Sequence, residues 1–254
     1  MPAPPDQARL APGVAARSEV KAWRGWPTRC ALCRDWTRAP LCAACEGRFA
    51  SQRVRCQRCA LPLSTSAPHC GACLTHPPRW DAATCAEDYA FPWDGLIGEL
   101  KFERRTERVR LLAGRLLQVL HGDPSAQAVD LVLPIPLSQA RLRERGFNQA
   151  WEIARRVARG LRLPARADVL VRTMDTPPQA GLSRAARSTN LQGAFSVQPA
   201  TRTVVDGSRI ALVDDIMTTG ATFAAACLAL RKAGAATVSV WAVARTPEPT
   251  ITPD

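Results

Sequence analysis

Two adjacent acids at the end of an apolar run are the residues of this sequence best suited to chemistry. Residues 210–216 read Ile-Ala-Leu-Val-Asp-Asp-Ile, which places Asp214 and Asp215 at the C-terminal end of a predicted strand, where open α/β sheets bind ligands. A loop of hydroxyl residues and glycine follows, and an Ala/Leu-rich helix is predicted over about 222–233. The backbone N–H groups and hydroxyls of such a loop suit a phosphate, as does the positive N-terminal end of a helix. The loop residues are Met217, Thr218, Thr219, Gly220, Ala221 and Thr222.

The two carboxylates suit a different part of the same ligand, because they repel phosphate. They can hold ribose hydroxyls, or a Mg2+ ion that bridges ribose and pyrophosphate. We therefore expect residues 214–222 to bind a phosphorylated sugar. The alternative is a strand that ends in a polar turn, with the acids serving only as charges at a helix N-terminus.

Two basic segments could complete a site for a polyphosphate. Arg141, Arg143 and Arg145 follow a predicted strand at 131–136, and arginine pairs with phosphate oxygens in a planar, bidentate way. Alone, these three residues would suit a solvated helix start better. The second segment is a polar loop over 176–195, a length typical of lids or of disordered chain. The residues that could close over an anionic substrate are Gln179, Arg184, Arg187 and Asn190.

Eight of the ten cysteines form four Cys-x-x-Cys pairs, and each pair can present two thiolates to one metal ion. Two pairs complete a tetrahedral site, so one or two structural zinc ions are predicted. Eight residues separate the first two pairs and ten separate each later neighbouring pair, so the spacing leaves the pairing open. Disulfides are the alternative, but residues 1–20 lack the apolar core of a signal peptide, which favours a reducing cytoplasm. The predicted ligands are Cys30, Cys33, Cys42, Cys45, Cys56, Cys59, Cys70 and Cys73.

Strands and helices alternate from residue 80 onward. Strands are predicted at 80–89, 131–136, 169–172, 209–214 and 236–244, and helical apolar spacing occurs at 96–100, 109–120, 148–157 and 222–233. This order predicts an α/β domain over 80–246 with a mostly parallel sheet flanked by helices. Residues 20–79 have little apolar periodicity, so we expect a small module that metal holds together. Residues 1–19 are predicted to be a disordered extension and residues 247–254 a C-terminal tail.

The formal net charge of +12 indicates a basic surface, which suits nucleic acid or polyphosphate ligands. The alternative is a composition bias, because arginine replaces lysine almost throughout the sequence. Arg53, Arg55 and Arg58 are the predicted phosphate contacts. Tryptophans could supply stacking platforms for bases, although core packing is their usual fate. The candidates are Trp23, Trp26, Trp36, Trp80 and Trp93. No stretch approaches the roughly 20 apolar residues of a membrane helix, so membrane insertion is not expected.

Taken together, the motifs resemble those of the ComF/GntX family. Over about residues 27–246 they occur in order: four Cys-x-x-Cys pairs, Leu-Lys-Phe at 100–102, Pro-Ile-Pro at 134–136, Arg-Gly-Phe-Asn-Gln at 145–149, Gln-x-x-Leu at 179–182, Arg-x-x-Asn at 187–190 and Val-Asp-Asp-Ile-Met-Thr-Thr-Gly at 213–220. The resemblance implies a double zinc-ribbon-like module at 20–79 fused to a type I phosphoribosyltransferase domain. It further implies that Asp214 and Asp215 hold the ribose hydroxyls of phosphoribosyl pyrophosphate (PRPP) while residues 217–222 hold its 5′-phosphate.

The resemblance leaves three functions open. Members of the family are associated with natural transformation, so the function we expect is a cytoplasmic, PRPP-binding protein that handles single-stranded DNA beside DNA-uptake machinery, including a helicase-type partner. The second is a phosphoribosyltransferase that uses PRPP with Mg2+, with Arg141, Arg145, Asp214 and Asp215 as catalytic residues. The third is a regulator that senses PRPP without turnover. We find no residues that specify a phosphoribosyl acceptor.

Overall fold

The computed structural model describes residues 26–51, 53–173 and 193–247. The strands are β1 (Thr28–Arg29), β2 (Trp36–Thr37), β3 (Ala82–Asp88), β4 (Leu131–Pro134), β5 (Leu170–Arg172), β6 (Phe195–Val197), β7 (Arg209–Met217) and β8 (Thr237–Arg245). The α-helices are α1 (Ala43–Phe49), α2 (Gly71–Thr75), α3 (Trp93–Phe102), α4 (Arg108–His121), α5 (Pro124–Gln127), α6 (Gln139–Arg145), α7 (Gln149–Leu161), α8 (Arg202–Val205) and α9 (Ala221–Lys232). A 3-10 turn at Pro199–Thr201 precedes α8.

The chain divides into two compact units, Met1–Cys42 and Ala43–Asp254. In the smaller unit β1 and β2 pair antiparallel, and the turn between them carries Cys30 and Cys33. The larger unit contains the other strands and all the helices named above. This division falls at a different place from the modules 20–79 and 80–246, which stay predictions.

A four-stranded parallel sheet organises the larger unit. Its strand order is β3-β8-β7-β4, and every neighbouring pair runs parallel. Helix α4 packs against β3 and β8, α7 against β4 and β7, and α9 against β8. The predicted α/β fold with a parallel sheet flanked by helices is therefore confirmed. Because the strands are parallel, the carboxyl ends of all four meet at one edge, where such sheets bind ligands.

The apolar residues of the central strands explain why the sheet is buried. Leu212 of β7 and Val240 of β8 are opposite one another and share a buried cluster with Phe223 and Leu230 of α9. Strands buried on both faces read as near-continuous apolar runs, as β7 and β8 do before their polar ends.

Two local differences from the predicted elements bear on the site. Strand β7 continues to Met217 rather than ending at residue 214, so both acids lie within the strand. The segment at 138–149, expected to be a loop, contains the short helix α6, whose N-cap Ser138 accepts a hydrogen bond from the Arg141 N–H. Asn148 similarly caps α7. Local capping by side chains created a helix that apolar spacing alone did not indicate.

A second small sheet precedes α8. Strands β5 and β6 pair antiparallel, and β6 was not predicted, because its three residues carry too little pattern. The predicted lid residues Gln179, Arg184, Arg187 and Asn190 lie at 174–192, outside the described residues, as do the segments 1–25 and 248–254.

Residues 43–79 are attached to the sheet by buried polar contacts within the larger unit. Arg115 of α4 ion-pairs with the fully buried Glu87 of β3 at 2.8 Å and with Glu46 of α1 at 2.9 Å. Burial raises the pKa of Glu87, and the adjacent Arg115 guanidinium opposes that rise. The Ser51 N–H donates to the same carboxylate at 2.7 Å, and the Trp93 indole N–H donates to the Phe49 carbonyl at 3.0 Å. These bonds fix α1 against β3, α3 and α4.

Candidate functional site

The two adjacent acids occupy different environments at the carboxyl end of β7. Successive strand residues point to opposite faces, so the two carboxylates diverge. Asp215 is buried and forms an ion pair with Lys101 of α3, with 2.9 Å between Nζ and Oδ1. Asp214 is partly buried, and its Oδ1 accepts the Asp215 backbone N–H at 2.8 Å. Lys101 is a site residue that the sequence reasoning did not single out, although it belongs to the Leu-Lys-Phe motif.

Asp214 has a perturbed acidity. Burial raises its pKa to about 7, and the neighbouring charge of Asp215 adds to the rise. Lys101 and Arg145 act in the opposite direction, so cationic groups from α3 and α6 lie near this carboxyl. A carboxyl group in this state gains strongly from a bound cation, because the cation favours its charged form. The chemistry of the site therefore fits a ligand that arrives with Mg2+.

The predicted phosphate loop, residues 217–222, requires glycine at its centre. Gly220 has φ of +80° and is the N-cap of α9. A Cβ at Gly220 would lie 2.6 Å from an outer ring atom of Trp80, so both the backbone and the neighbouring indole exclude a side chain. The Thr219 hydroxyl accepts the Ala221 N–H at 3.4 Å. The first-turn N–H groups of α9 have no partners within their helix, and these are the groups that bind anions.

Arg245, the last residue of β8, holds the carbonyl groups at the start of this loop. Its guanidinium is buried and donates from Nη1 to the carbonyl oxygens of Met217 at 3.1 Å and of Thr218. The Thr246 N–H also donates to the Met217 carbonyl, at 3.0 Å. These bonds fix the backbone at the point where β7 ends and the loop begins. No sequence pattern indicated a role for Arg245, which reads as one more residue after an apolar strand.

The predicted arginine cluster lies on α6. Arg141 and Arg145 are four residues apart and so share a face of this helix, whereas Arg143 lies on another. Arg145 Nη1 donates to Gln149 Oε1 at 3.1 Å, and its guanidinium lies 5.7 Å from the centre of the Phe102 ring. The influence of Arg145 on Asp214 connects α6 with the acids. No described contact does the same for Arg141 or Arg143.

The eight predicted cysteine ligands form two groups. The Sγ atoms of Cys30, Cys33, Cys42 and Cys45 lie within 4.8 Å of one another, and so do those of Cys56, Cys59, Cys70 and Cys73. The first and second pairs thus form one group and the third and fourth pairs form the other, which decides the pairing that spacing had left open. We call these the first and second cysteine clusters.

The donor set of each cluster fits a zinc ion. Four sulfur atoms at this mutual distance match a closed tetrahedral structural site. Backbone N–H groups donate to the sulfurs, as from Cys42 to Cys30 at 3.4 Å and from Cys70 to Cys56 at 3.3 Å. Although burial acts to raise the pKa of Cys56, hydrogen bonds from the backbone N–H groups of Cys70, Arg58 and Cys59 lower it to about 7. Burial and the neighbouring thiols raise the pKa of Cys59, so zinc binding would require this thiol to lose its proton.

Comparison with known proteins gives a consistent result. Residues 148–254 match the family described as phosphoribosyl transferase domain. The sequence is 36% identical to the DNA utilization protein YhgH of Shigella flexneri over 87% of this chain and 98% of that protein. It is 34% identical to competence protein F of Haemophilus influenzae over 85% of this chain and 96% of that protein. The chain belongs to the ComF family.

Solved structures resemble only part of this ComF-family chain. One is the glutamine PRPP amidotransferase from Bacillus subtilis complexed with ADP and GMP, at 25% identity and a TM-score of 0.34, covering 51% of this chain and 25% of that one. A likeness this partial adds nothing to the family assignment. None of the helices in the described part of the chain has the length and apolar character that a membrane crossing requires.

The predicted DNA-contacting residues of this ComF-family chain are only partly accessible. Trp26 and Trp36 are exposed, but Trp80 and Trp93 are buried, with indole N–H groups bonded to backbone carbonyls. Arg55 is also largely buried and is held by Asp88 at 2.8 Å and by the Ala60 carbonyl at 3.1 Å. The expectations for Trp80, Trp93 and Arg55 were wrong, because each packs between residues 43–79 and the sheet. Trp23 lies outside the described residues.

Two exposed phenylalanines were not among the predicted base-stacking residues. Phe91 and Phe102 are each about three-quarters exposed, at 77% and 75%. The Phe91 ring meets Phe49 edge-on with 5.7 Å between centres, and the Arg48 guanidinium lies 5.2 Å from the Phe49 ring centre. In the smaller unit the Arg29 guanidinium lies 5.1 Å from the exposed Trp36 ring. Each platform therefore combines an aromatic face with a cation.

Proposed function

We propose that this protein binds PRPP with Mg2+ at the carboxyl end of β7 and handles single-stranded DNA in the cytoplasm during DNA uptake. The observation that carries the proposal is the pair Asp214 and Asp215 within a buried parallel strand, followed directly by a glycine-centred loop and the N-terminus of α9. Relatives named competence protein F and DNA utilization protein support the physiological part.

Each part of PRPP has suitable partners. The 5′-phosphate fits the phosphate loop, with Met217, Thr218, Thr219, Gly220, Ala221 and Thr222 offering N–H groups and hydroxyls. Asp214 and Asp215 suit the ribose hydroxyls or the Mg2+ ion. The pyrophosphate suits Arg141 and Arg145 of α6 and, once ligand competes for Asp215, the Lys101 ammonium. Gln179, Arg184, Arg187 and Asn190 stay a predicted lid over this anion.

DNA handling is supported by the aromatic platforms and their cations. Bases of any sequence stack on an aromatic face, and a nearby guanidinium adds attraction to both the ring and the phosphates. Phe49 with Phe91 and Arg48 forms such a platform in the larger unit, and Trp36 with Arg29 forms one in the smaller unit. Neither offers a base-reading pattern, so we expect weak sequence preference.

A second candidate function is phosphoribosyl transfer to a base. The observation that favours it is Phe102, an exposed ring beside Arg145, which itself lies near Asp214. An aromatic plate near the ribose site could stack a heteroaromatic acceptor. In transfer, the protein would position the acceptor and stabilise the departing pyrophosphate electrostatically, chiefly through Arg145 and Arg141.

One binding panel tests both candidates. Calorimetry with PRPP and Mg2+, fluorescence anisotropy with labelled single-stranded oligonucleotides, and a pyrophosphate-release assay with a set of nucleobases should be run on the same protein. We expect PRPP and DNA to bind without pyrophosphate release. Release with one defined base would establish the transferase instead, while PRPP binding without DNA binding at about 50 mM salt would favour a PRPP-responsive regulator.

The DNA arm needs variants that keep the fold. Phe91→Ala and Arg48→Ser remove parts of one platform, and both positions are exposed. Each base stacked on an aromatic ring contributes about 1–3 kcal/mol, so Phe91→Ala should weaken DNA binding about 5- to 150-fold. Arg48→Ser should reduce the salt dependence by about 0.7 in log–log slope if it contacts one phosphate. Val54→Ala, at another exposed apolar position, is the matched control; equal losses in the control would exclude the platform.

A further inference from the structure

The turn between Cys56 and Cys59 is bonded to the sheet through three successive carbonyl groups. The Gln57 carbonyl accepts the Ala83 N–H at 2.8 Å, and the Arg58 carbonyl accepts the Trp80 indole N–H at 2.5 Å. The Cys59 carbonyl accepts Nε of Arg245 at 2.9 Å. All of these residues belong to the larger unit. The backbone of the second cysteine cluster is thus held by donors from β3, from β8 and from the segment that precedes β3.

Two of those donors also hold the phosphate loop. Arg245 uses Nη1 for the Met217 and Thr218 carbonyls while its Nε bonds Cys59. The Trp80 ring packs against Gly220 and against the Phe223 ring of α9, with 6.3 Å between the two ring centres. Trp80 and Arg245 are each only 6% exposed, so neither can exchange its protein partners for water without moving. A guanidinium is planar and its donors are fixed in direction, so displacement at one end alters the other.

We infer that the second cysteine cluster positions the phosphate loop through Arg245 and Trp80, so that metal binding at this cluster and PRPP binding at the loop are thermodynamically linked. This inference rests on the proposed PRPP function. A metal ion fixes the Cys56–Cys59 turn by holding both thiolates, and the turn then presents the Arg58 and Cys59 carbonyls in register with Trp80 and Arg245. Without the ion the turn gains conformational freedom, and the loop loses the support that holds its N–H groups in place.

The linkage is reciprocal, which provides the central measurement. If zinc raises the affinity for PRPP, PRPP must raise the affinity for zinc by the same factor. Zinc affinity should be measured at equilibrium by competition with a chromophoric chelator, with and without saturating PRPP, at constant Mg2+. We expect PRPP to tighten zinc binding about 5- to 150-fold, the usual range for coupled sites. Inorganic phosphate at equal ionic strength is the ligand control.

Variants separate the positioning role from metal loss as such. Arg245→Lys keeps the charge but cannot reach both carbonyl groups, and Trp80→Phe removes the indole N–H. Both should bind zinc and reduce the effect of PRPP on zinc affinity to less than about twofold. Arg209→Lys changes an exposed arginine at the opposite end of β7, where it pairs with Asp130, and should keep the full linkage. Cys33→Ser, in the first cysteine cluster, controls for the loss of one zinc ion.

Hydrogen exchange tests the coupling without PRPP. Removing zinc from the full chain should accelerate exchange of the two amides that bond the loop carbonyls, Thr246 N–H to Met217 and Ala224 N–H to Gly220, at least about tenfold if the loop loses its support. The same two amides should exchange fast in Arg245→Lys even when zinc is bound.

The outcomes are distinguishable. Failure of PRPP to bind in calorimetry, with zinc-dependent exchange of the Thr246 and Ala224 amides, would reject the proposed function and keep the coupling. PRPP binding with zinc-independent exchange and an unchanged zinc affinity would overturn the coupling. Full linkage in Arg245→Lys and Trp80→Phe would show that neither residue transmits the coupling. If Cys33→Ser lost as much PRPP affinity as those two variants, the effect would be assigned to general destabilisation of the fold.

Discussion

Replacing Gly220 with alanine should perturb the phosphate loop in two separable ways. The residue has φ of +80°, which L-amino acids with a Cβ adopt only with strain. The new methyl group would also lie 2.6 Å from the Trp80 ring, closer than carbon atoms approach. Trp80 is 6% exposed and is bonded through its indole N–H, so it cannot move aside freely.

The two contributions can be given magnitudes with a matched control. Gly207 has φ of +69°, and no atom lies within 4 Å of the position that a new methyl group would take, so Gly207→Ala carries the backbone strain alone. That strain amounts to about 1–2 kcal/mol. Overpacking against a buried side chain adds about 1–3 kcal/mol. Gly220→Ala should therefore lower the free energy of unfolding by about 2–5 kcal/mol, and Gly207→Ala by about 1–2 kcal/mol.

Urea denaturation of zinc-loaded protein measures both changes, provided the transition midpoint shifts at constant slope. The double variant Trp80→Phe with Gly220→Ala adds a second check, because the smaller ring lacks the atoms that meet the new methyl group. The free energy of unfolding lost in the double variant should be smaller than the sum of the losses in the two single variants. Equal destabilisation by Gly220→Ala and Gly207→Ala, with strictly additive behaviour in the double variant, would refute the packing of Trp80 under the loop.

Three further predictions concern the charged residues. The folded-state pKa of Asp214, about 7, lies above its unfolded value of about 3.9, so the stability this group contributes is present at low pH and falls as pH rises from about 4 to 7. The affinity for PRPP with Mg2+ should rise over pH 6–8. Asp214→Asn should flatten the pH dependence of both the stability and the PRPP affinity. If neither pH dependence changed in this variant, Asp214 would be excluded as their source. Asp215→Asn should weaken PRPP binding about 10- to 100-fold. It should also destabilise the fold, because Lys101 loses its carboxylate partner. Adding Lys101→Met should recover the stability of the fold without recovering PRPP binding. PRPP binding in the double variant as tight as in Lys101→Met alone would mean that Asp215 serves the ion pair alone. Arg115→Ala should lower the free energy of unfolding by about 3–5 kcal/mol, because the buried Glu87 loses its partner. Arg209→Ala, which removes an exposed ion pair, should leave the urea midpoint nearly unchanged. Similar urea midpoints for the two variants would contradict this prediction.

Local pattern predicted the parts of the site that lie close together in sequence. The run from β7 to α9 was recognised because a buried strand, its polar end and a helix start suited to anions are all encoded by neighbouring residues. The same holds for each Cys-x-x-Cys pair, whose two thiolates are brought together by a single turn. Helix α6 was missed because its stability depends on the Ser138 cap rather than on an apolar stripe.

Residue types alone misjudged which side chains are accessible. Arg55, Trp80 and Trp93 were expected at a DNA surface because arginine and tryptophan suit phosphates and bases. All three side chains are instead buried or largely buried in the interior of the larger unit. Arg55 bonds Asp88, Trp80 bonds the Arg58 carbonyl and Trp93 bonds the Phe49 carbonyl. Phe91 and Phe102 show the reverse, since these apolar residues, of a type that usually packs in a core, are exposed.

The sequence by itself determined the α/β order of elements, the acids and loop at 214–222, and the eight thiolates. Each follows from interactions between residues a few positions apart, which a linear pattern records. Only the tertiary structure decided that the cysteine pairs join first with second and third with fourth, that Lys101 meets Asp215, and that Arg245 joins Cys59 to the phosphate loop. Those contacts span up to 186 residues of chain and depend on the parallel strand order β3-β8-β7-β4, in which the carboxyl end of β8 lies beside that of β7. Spacing along the chain carries no record of which strands become neighbours, so the packing of the sheet had to supply it.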